Sequence, residues 1–111
     1  MSDYYASEDL KKFGAINRHA KPLADEFFKY YNAVTGADGA LSRREKSLIA
    51  LAIAHSEKCP YCIDAYTTAC LETGANPEQM MEAVHVAAAM KAGITLVHGV
   101  QMQNHLDKLV L

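Results

Sequence analysis

Leu48-Ile49-Ala50-Leu51-Ala52-Ile53-Ala54, followed after four polar residues by Cys59-Pro60-Tyr61-Cys62, decides how this chain is read. The first run is apolar all round, the mark of a helix surrounded by other helices. Ser42 and Glu45 form a capping box ahead of it, which places that helix from about 43 to 57. Pro60 fits the first turn of a second helix, where a missing N–H costs nothing. That helix carries the pattern from Ile63 to Thr73 and stops at Gly74. Two thiols three positions apart can close into a disulfide or hold one proton between them, and either use needs a thiolate. The unpaired amides and positive pole at a helix start lower the pKa of a neighbouring cysteine. The expectation is a redox-active dithiol on a small helical scaffold.

Outward from this centre the dominant period is helical, with few β-branched runs and no hairpin signal. Ser7 is placed to cap a first helix, roughly 8 to 19. Pro22 starts a second, to about Thr35, with Leu23, Phe27, Tyr30, Tyr31 and Val34 as an apolar stripe for packing. Asn76-Pro77-Glu78-Gln79 is a fresh start signal for a helix to about Lys91. Gly93 breaks the pattern, and a last helix covers about 94 to 109. The fold class is all-α, about six helices in one compact domain spanning 1–111. Its generous apolar surface predicts a homo-oligomer.

Composition narrows the function. The chain has 111 residues, half of them hydrophobic, and a net charge of −2 without a basic block, which argues against nucleic acid. The start, Met1-Ser2-Asp3-Tyr4-Tyr5, lacks an apolar signal core, and no stretch has eighteen uninterrupted apolar residues. A cytoplasmic protein with no membrane partner is expected. In a reducing compartment a CxxC is more often catalytic or metal-binding than structural.

Arg44 to Ala54, then Cys59 to Cys62, then Gly74-Ala75 and Glu82-Ala83-Val84, resemble the carboxymuconolactone decarboxylase and alkylhydroperoxidase D-like family. The resemblance covers roughly 40 to 100 and implies a helical bundle, trimers or hexamers, and in many members peroxidase or thiol oxidoreductase activity. It also implies that Cys62 attacks the peroxide and Cys59 resolves the product. The string Cys59 to Thr67, with His85 and Leu96 to Gly99, looks like a narrower branch of peroxidase-like proteins accompanying arsenosugar biosynthesis. Two positions depart from the peroxidase pattern. Ser47 stands where the family keeps a glutamate, and Tyr66 where it keeps a histidine. Serine and an ordinary tyrosine are poor bases near neutral pH. Glu45 lies ~200° around the helix from Ser47 and is expected to cap instead.

The remaining candidates each carry two readings. Tyr66, one turn after Cys62, is either a hydroxyl donor to the thiolate or a bound oxygen, or a buried ring satisfied elsewhere. His98 is the first candidate for a replacement base, since the resemblance implies a histidine near here beside the dithiol helix; His85, in an apolar run, is either a core residue or the second candidate for that base. His55, one turn before Cys59, either stabilises a thiolate or simply ends its helix. Ser47 holds a water or packs. Cys70, rotated ~80° from Cys62, reads as a packed thiol outside the site. Asp64, Thr67 and Thr68 read as a solvated face, and His19 and His105 as surface residues.

The function that follows is a peroxidase-like thiol oxidoreductase. Its substrate is a small peroxide or disulfide, an external dithiol resets it, and no cofactor or resident metal is required. The alternative is a binding protein whose dithiol chelates zinc or trivalent arsenic. A lactone decarboxylase without thiol chemistry leaves the intact cysteine pair unexplained.

Overall fold

The computed structural model describes residues 6–15 and 18–109, and the described residues form helices and no strands. A 3-10 helix, Ser7–Ala15, comes first. Five α-helices follow: α1 Lys21–Thr35, α2 Arg43–Ser56, α3 Pro60–Glu72, α4 Pro77–Val97 and α5 Gly99–Leu109. The expected first helix is thus a tighter coil, and part of its predicted span, residues 16–17, lies outside the described residues. So does the Met1 to Tyr5 segment read for a signal.

The helix starts obey their local chemistry. Ser42 accepts the Glu45 amide at 3.1 Å while the Glu45 carboxylate accepts the Ser42 amide at 2.8 Å. That amide holds the Glu45 carboxyl below the usual range. Asn76 and Gln79 repeat the device at α4, at 2.8 and 3.0 Å. α1 opens on Pro22 without a side-chain cap.

Two helix ends share one geometry. After α3, Gly74 sits at φ +94°, the Ala75 amide bonds the Cys70 carbonyl at 2.9 Å and the Gly74 amide bonds Leu71 at 3.3 Å. After α2, Lys58 sits at φ +56°, the Cys59 amide bonds Ala54 at 3.0 Å and the Lys58 amide bonds His55 at 3.2 Å. Both are Schellman stops, but the second puts a lysine where glycine is the unstrained choice.

The core is small. Leu51, Cys70 and Ala75 are buried together, with Leu48, Tyr66 and Met80 packed against them. α2 packs on α3 and on α4, and Lys91 of α4 donates to the Ser56 carbonyl at 2.8 Å, capping the end of α2. Phe13 of the 3-10 helix meets Phe28 edge-on at 5.2 Å, and Phe27 stacks towards Tyr31 at 5.7 Å.

Three expectations are corrected here. Gly93 does not break a helix; it lies inside α4, and the interruption falls at His98. An isolated glycine costs a helix only about 1 kcal/mol, and strong formers flank it. α2 is not surrounded, because Ile49 and Ile53 remain half exposed. The protomer is not compact either. Its radius of gyration is 19.1 Å and it spans 61 × 35 × 35 Å, against roughly 13 Å for a compact chain of this length. The excess is the run Pro77–Leu109, interrupted at His98, whose most apolar 18-residue window has a mean hydropathy of 1.3 and is not buried at all. By length and composition alone that run could cross a membrane, although it carries Glu78, Glu82, Lys91, Asp107 and Lys108.

Candidate functional site

Cys59 is the N-cap of α3, in extended conformation, and Pro60 and Tyr61 lead into the helical turn that holds Cys62. The Schellman stop of α2 ends at the Cys59 amide itself, so the two helices meet at this residue. The sulfur atoms lie 3.1 Å apart. That is a thiol–thiol contact, well beyond the ~2.05 Å of a disulfide bond. Both cysteines are half-buried.

The two thiols differ in acidity. Cys59 is lowered, first by its hydrogen bond with Cys62 and then by the amides of Cys62 and Tyr61 at the helix start. Those amides help electrostatically without closing a side-chain cap bond. Cys62 is pushed up to about 11, chiefly by burial and then by Cys59. The acidified thiol expected at the helix start is therefore Cys59, and Cys62 is the less readily ionised of the two. Cys70 is fully buried and raised by burial, a packed thiol as its position suggested.

One turn beyond Cys62, the Tyr66 hydroxyl is hydrogen-bonded to the hydroxyl of Tyr31. Tyr31 is half-buried on α1, and its pKa is raised by burial and then by the nearby charge of Cys62. It was read only as part of the packing stripe. Nothing in its spacing distinguished it from Tyr30, which is 70% exposed; the difference is which side of α1 meets α3.

Beside the phenols is a cleft of about 250 Å³, lined by Tyr31, Thr35, Ser47, Tyr66 and Ala69, with Arg43 and Lys46 among its other walls. Ser47 is buried and contributes to this lining, so it shares the cleft with both tyrosines. Neither Cys59 nor Cys62 is among the residues that line the cleft.

The histidines are placed differently. The His55 Nδ1 bonds the Leu51 carbonyl at 2.9 Å, which leaves Nε2 as its available nitrogen near the end of α2. His98 is exposed where α4 gives way to α5, its Nδ1 bonded to the Ile94 carbonyl at 2.7 Å. α4 packs chiefly on α2, and α5 on α4. His85 is exposed rather than a core residue, and His19 and His105 are exposed. Asp64 is not free in solvent; it accepts the Ser7 hydroxyl and ties the 3-10 helix to α3. Among the described residues no three His, Cys, Asp or Glu side chains gather where they could hold a metal ion.

Comparison with known proteins adds the lineage. Residues 22–103 match the sequence model of the carboxymuconolactone decarboxylase family. The chain is 42% identical to uncharacterized protein 4 in the cox locus of Paracoccus denitrificans, over 98% of this chain and 97% of that one. It is 28% identical to an uncharacterized protein of Cupriavidus necator, over 93% and 90%.

Proposed function

Because the chain belongs to the carboxymuconolactone decarboxylase family, we propose that it is a peroxidase-like thiol oxidoreductase working through Cys59 and Cys62. The observation that carries this reading is the 3.1 Å sulfur–sulfur contact at the start of α3. At that separation one thiol can pass its proton to the other, and the two can form a bond with little movement.

Of the reduced pair, Cys59 ionises the more readily and Cys62 keeps its proton the longer. When the proton crosses to Cys59, the Cys62 thiolate attacks the outer oxygen of a hydroperoxide. The O–O bond breaks, the departing alkoxide takes up a proton and leaves as an alcohol, and Cys62 becomes a sulfenic acid. Cys59 then attacks that sulfur, water departs, and a disulfide remains. An external dithiol reduces it by exchange. The exposed apolar surface of α2, α4 and α5 belongs to the same proposal as the face on which copies associate, a trimer or hexamer.

Stopped-flow oxidation of the reduced protein by a hydroperoxide or a small disulfide tests the reading. Wild type should form one disulfide per chain faster than free cysteine does, and Cys62→Ser should form none. Oxidation of Cys62→Ser at the wild-type rate would end the proposal.

A further inference from the structure

We propose that Tyr66 is the general acid of peroxide cleavage, giving its phenol proton to the departing oxygen, and that Tyr31 is the positioning residue that holds it there. This rests on the thiol oxidoreductase reading. Three observations support it. Tyr66 stands one helical turn beyond Cys62 on the same face of α3. Its hydroxyl is fixed by the Tyr31 hydroxyl, arriving from α1. Both rings line one cleft, beside the buried Ser47.

The chemistry suits a phenol better than the role it would otherwise inherit. Taking a proton from a thiol asks it to be a base, which a phenol near neutral pH is not. Giving a proton to an alkoxide is the opposite task, and an alkoxide is a far stronger base than a phenolate. The thiol proton already has an acceptor in Cys59, so the tyrosines are not needed for it. Either hydroxyl can donate within the pair; when Tyr31 donates to Tyr66, the Tyr66 proton is the one left for the substrate.

The step balances. The Cys62 thiolate forms a bond to the outer oxygen of the hydroperoxide, whose inner oxygen leaves with the electron pair and takes the Tyr66 proton. The Tyr66 phenolate, held by the Tyr31 hydroxyl, recovers a proton from solvent. Cys62 has been oxidised to the sulfenic acid and the peroxide reduced to an alcohol. The external dithiol supplies the electrons that restore the pair.

A proton donor matters in proportion to how poor the leaving group is. Oxidation rates of Tyr66→Phe and Tyr31→Phe are therefore measured with tert-butyl hydroperoxide, which expels an alkoxide, and with peroxyacetic acid, which expels a carboxylate. Tyr66→Phe should lose about a hundredfold with the first oxidant and stay within about twofold of wild type with the second. Tyr31→Phe should show the same selectivity at about tenfold. Equal losses with both oxidants, or none with the alkyl hydroperoxide, would overturn the assignment while leaving the dithiol chemistry standing. A wild-type protein inert to both oxidants would remove the thiol reading and this inference together.

Discussion

Tyr31 and Tyr66 lie 35 residues apart in the chain and meet hydroxyl to hydroxyl, joining α1 to the helix that carries the dithiol. Each hydroxyl is the other's partner, so removing one leaves its neighbour half-buried and unpaired. Tyr31→Phe should cost about 1 kcal/mol of stability. Removing both should cost less than the sum of the single changes, because no orphan hydroxyl remains. Denaturant titration of the two single variants and the double variant checks this.

The dithiol should titrate in two separated steps. Alkylation by iodoacetamide is expected to label Cys59 below the ordinary thiol range and Cys62 only as pH approaches about 11. Cys62→Ala removes the hydrogen bond that lowers Cys59, so the Cys59 step should move up. The stability signs are opposite. Cys59, lowered by folding, adds stability above its unfolded pKa and loses it as pH falls through its folded value. Cys62, raised by folding, adds stability below its unfolded pKa and loses it as pH rises to about 11. Thermal melts of Cys62→Ala should accordingly show a shallower alkaline decline than wild type.

Three backbone positions give a matched series. Gly74→Ala should destabilise by about 1 kcal/mol, all of it backbone strain at φ +94°, since nothing lies within 4 Å of the added methyl. Gly36→Ala should cost more, because its methyl would meet the Asn32 carbonyl oxygen at 2.7 Å although the φ there is ordinary. Lys58→Gly should stabilise by up to about 1 kcal/mol, relieving the left-handed lysine. Urea midpoints of the three proteins would order them.

The α4–α5 face should make stability depend on protein concentration. Met90, Ile94, Leu96 and Val97 are each at least 60% exposed. Sedimentation should find more than one chain per particle, and Met90→Glu with Ile94→Glu should dissociate it and lower its melting temperature. A wild-type monomer with a concentration-independent melt would count against association through this face.

Much of the fold could be read because local chemistry carried it. Ser42 with Glu45, Asn76 with Gln79, and Gly74 each announce a helix boundary through bonds made within a few residues. The dithiol helix was legible for the same reason. What escaped depends on contacts distant in sequence. Gly93 is an intrinsically weak helix residue, yet its flanking turns carry the helix through it. The role of Tyr31 needed the orientation of α1 against α3, and Asp64 needed the 3-10 helix across from it. The split acidity of the cysteines followed from the hydrogen bonds that lower Cys59 and the burial that raises Cys62, which no spacing encodes.

The lysine at the end of α2 also fixes an order of events. Opening that turn releases strain, whereas opening its glycine counterpart at residue 74 releases none. Amide deuteration should therefore reach the Cys59 N–H before the Ala75 N–H, although both bond equivalent carbonyls. The dithiol end of the molecule breathes first, and does so without disturbing the interior that Leu51 and Cys70 hold shut.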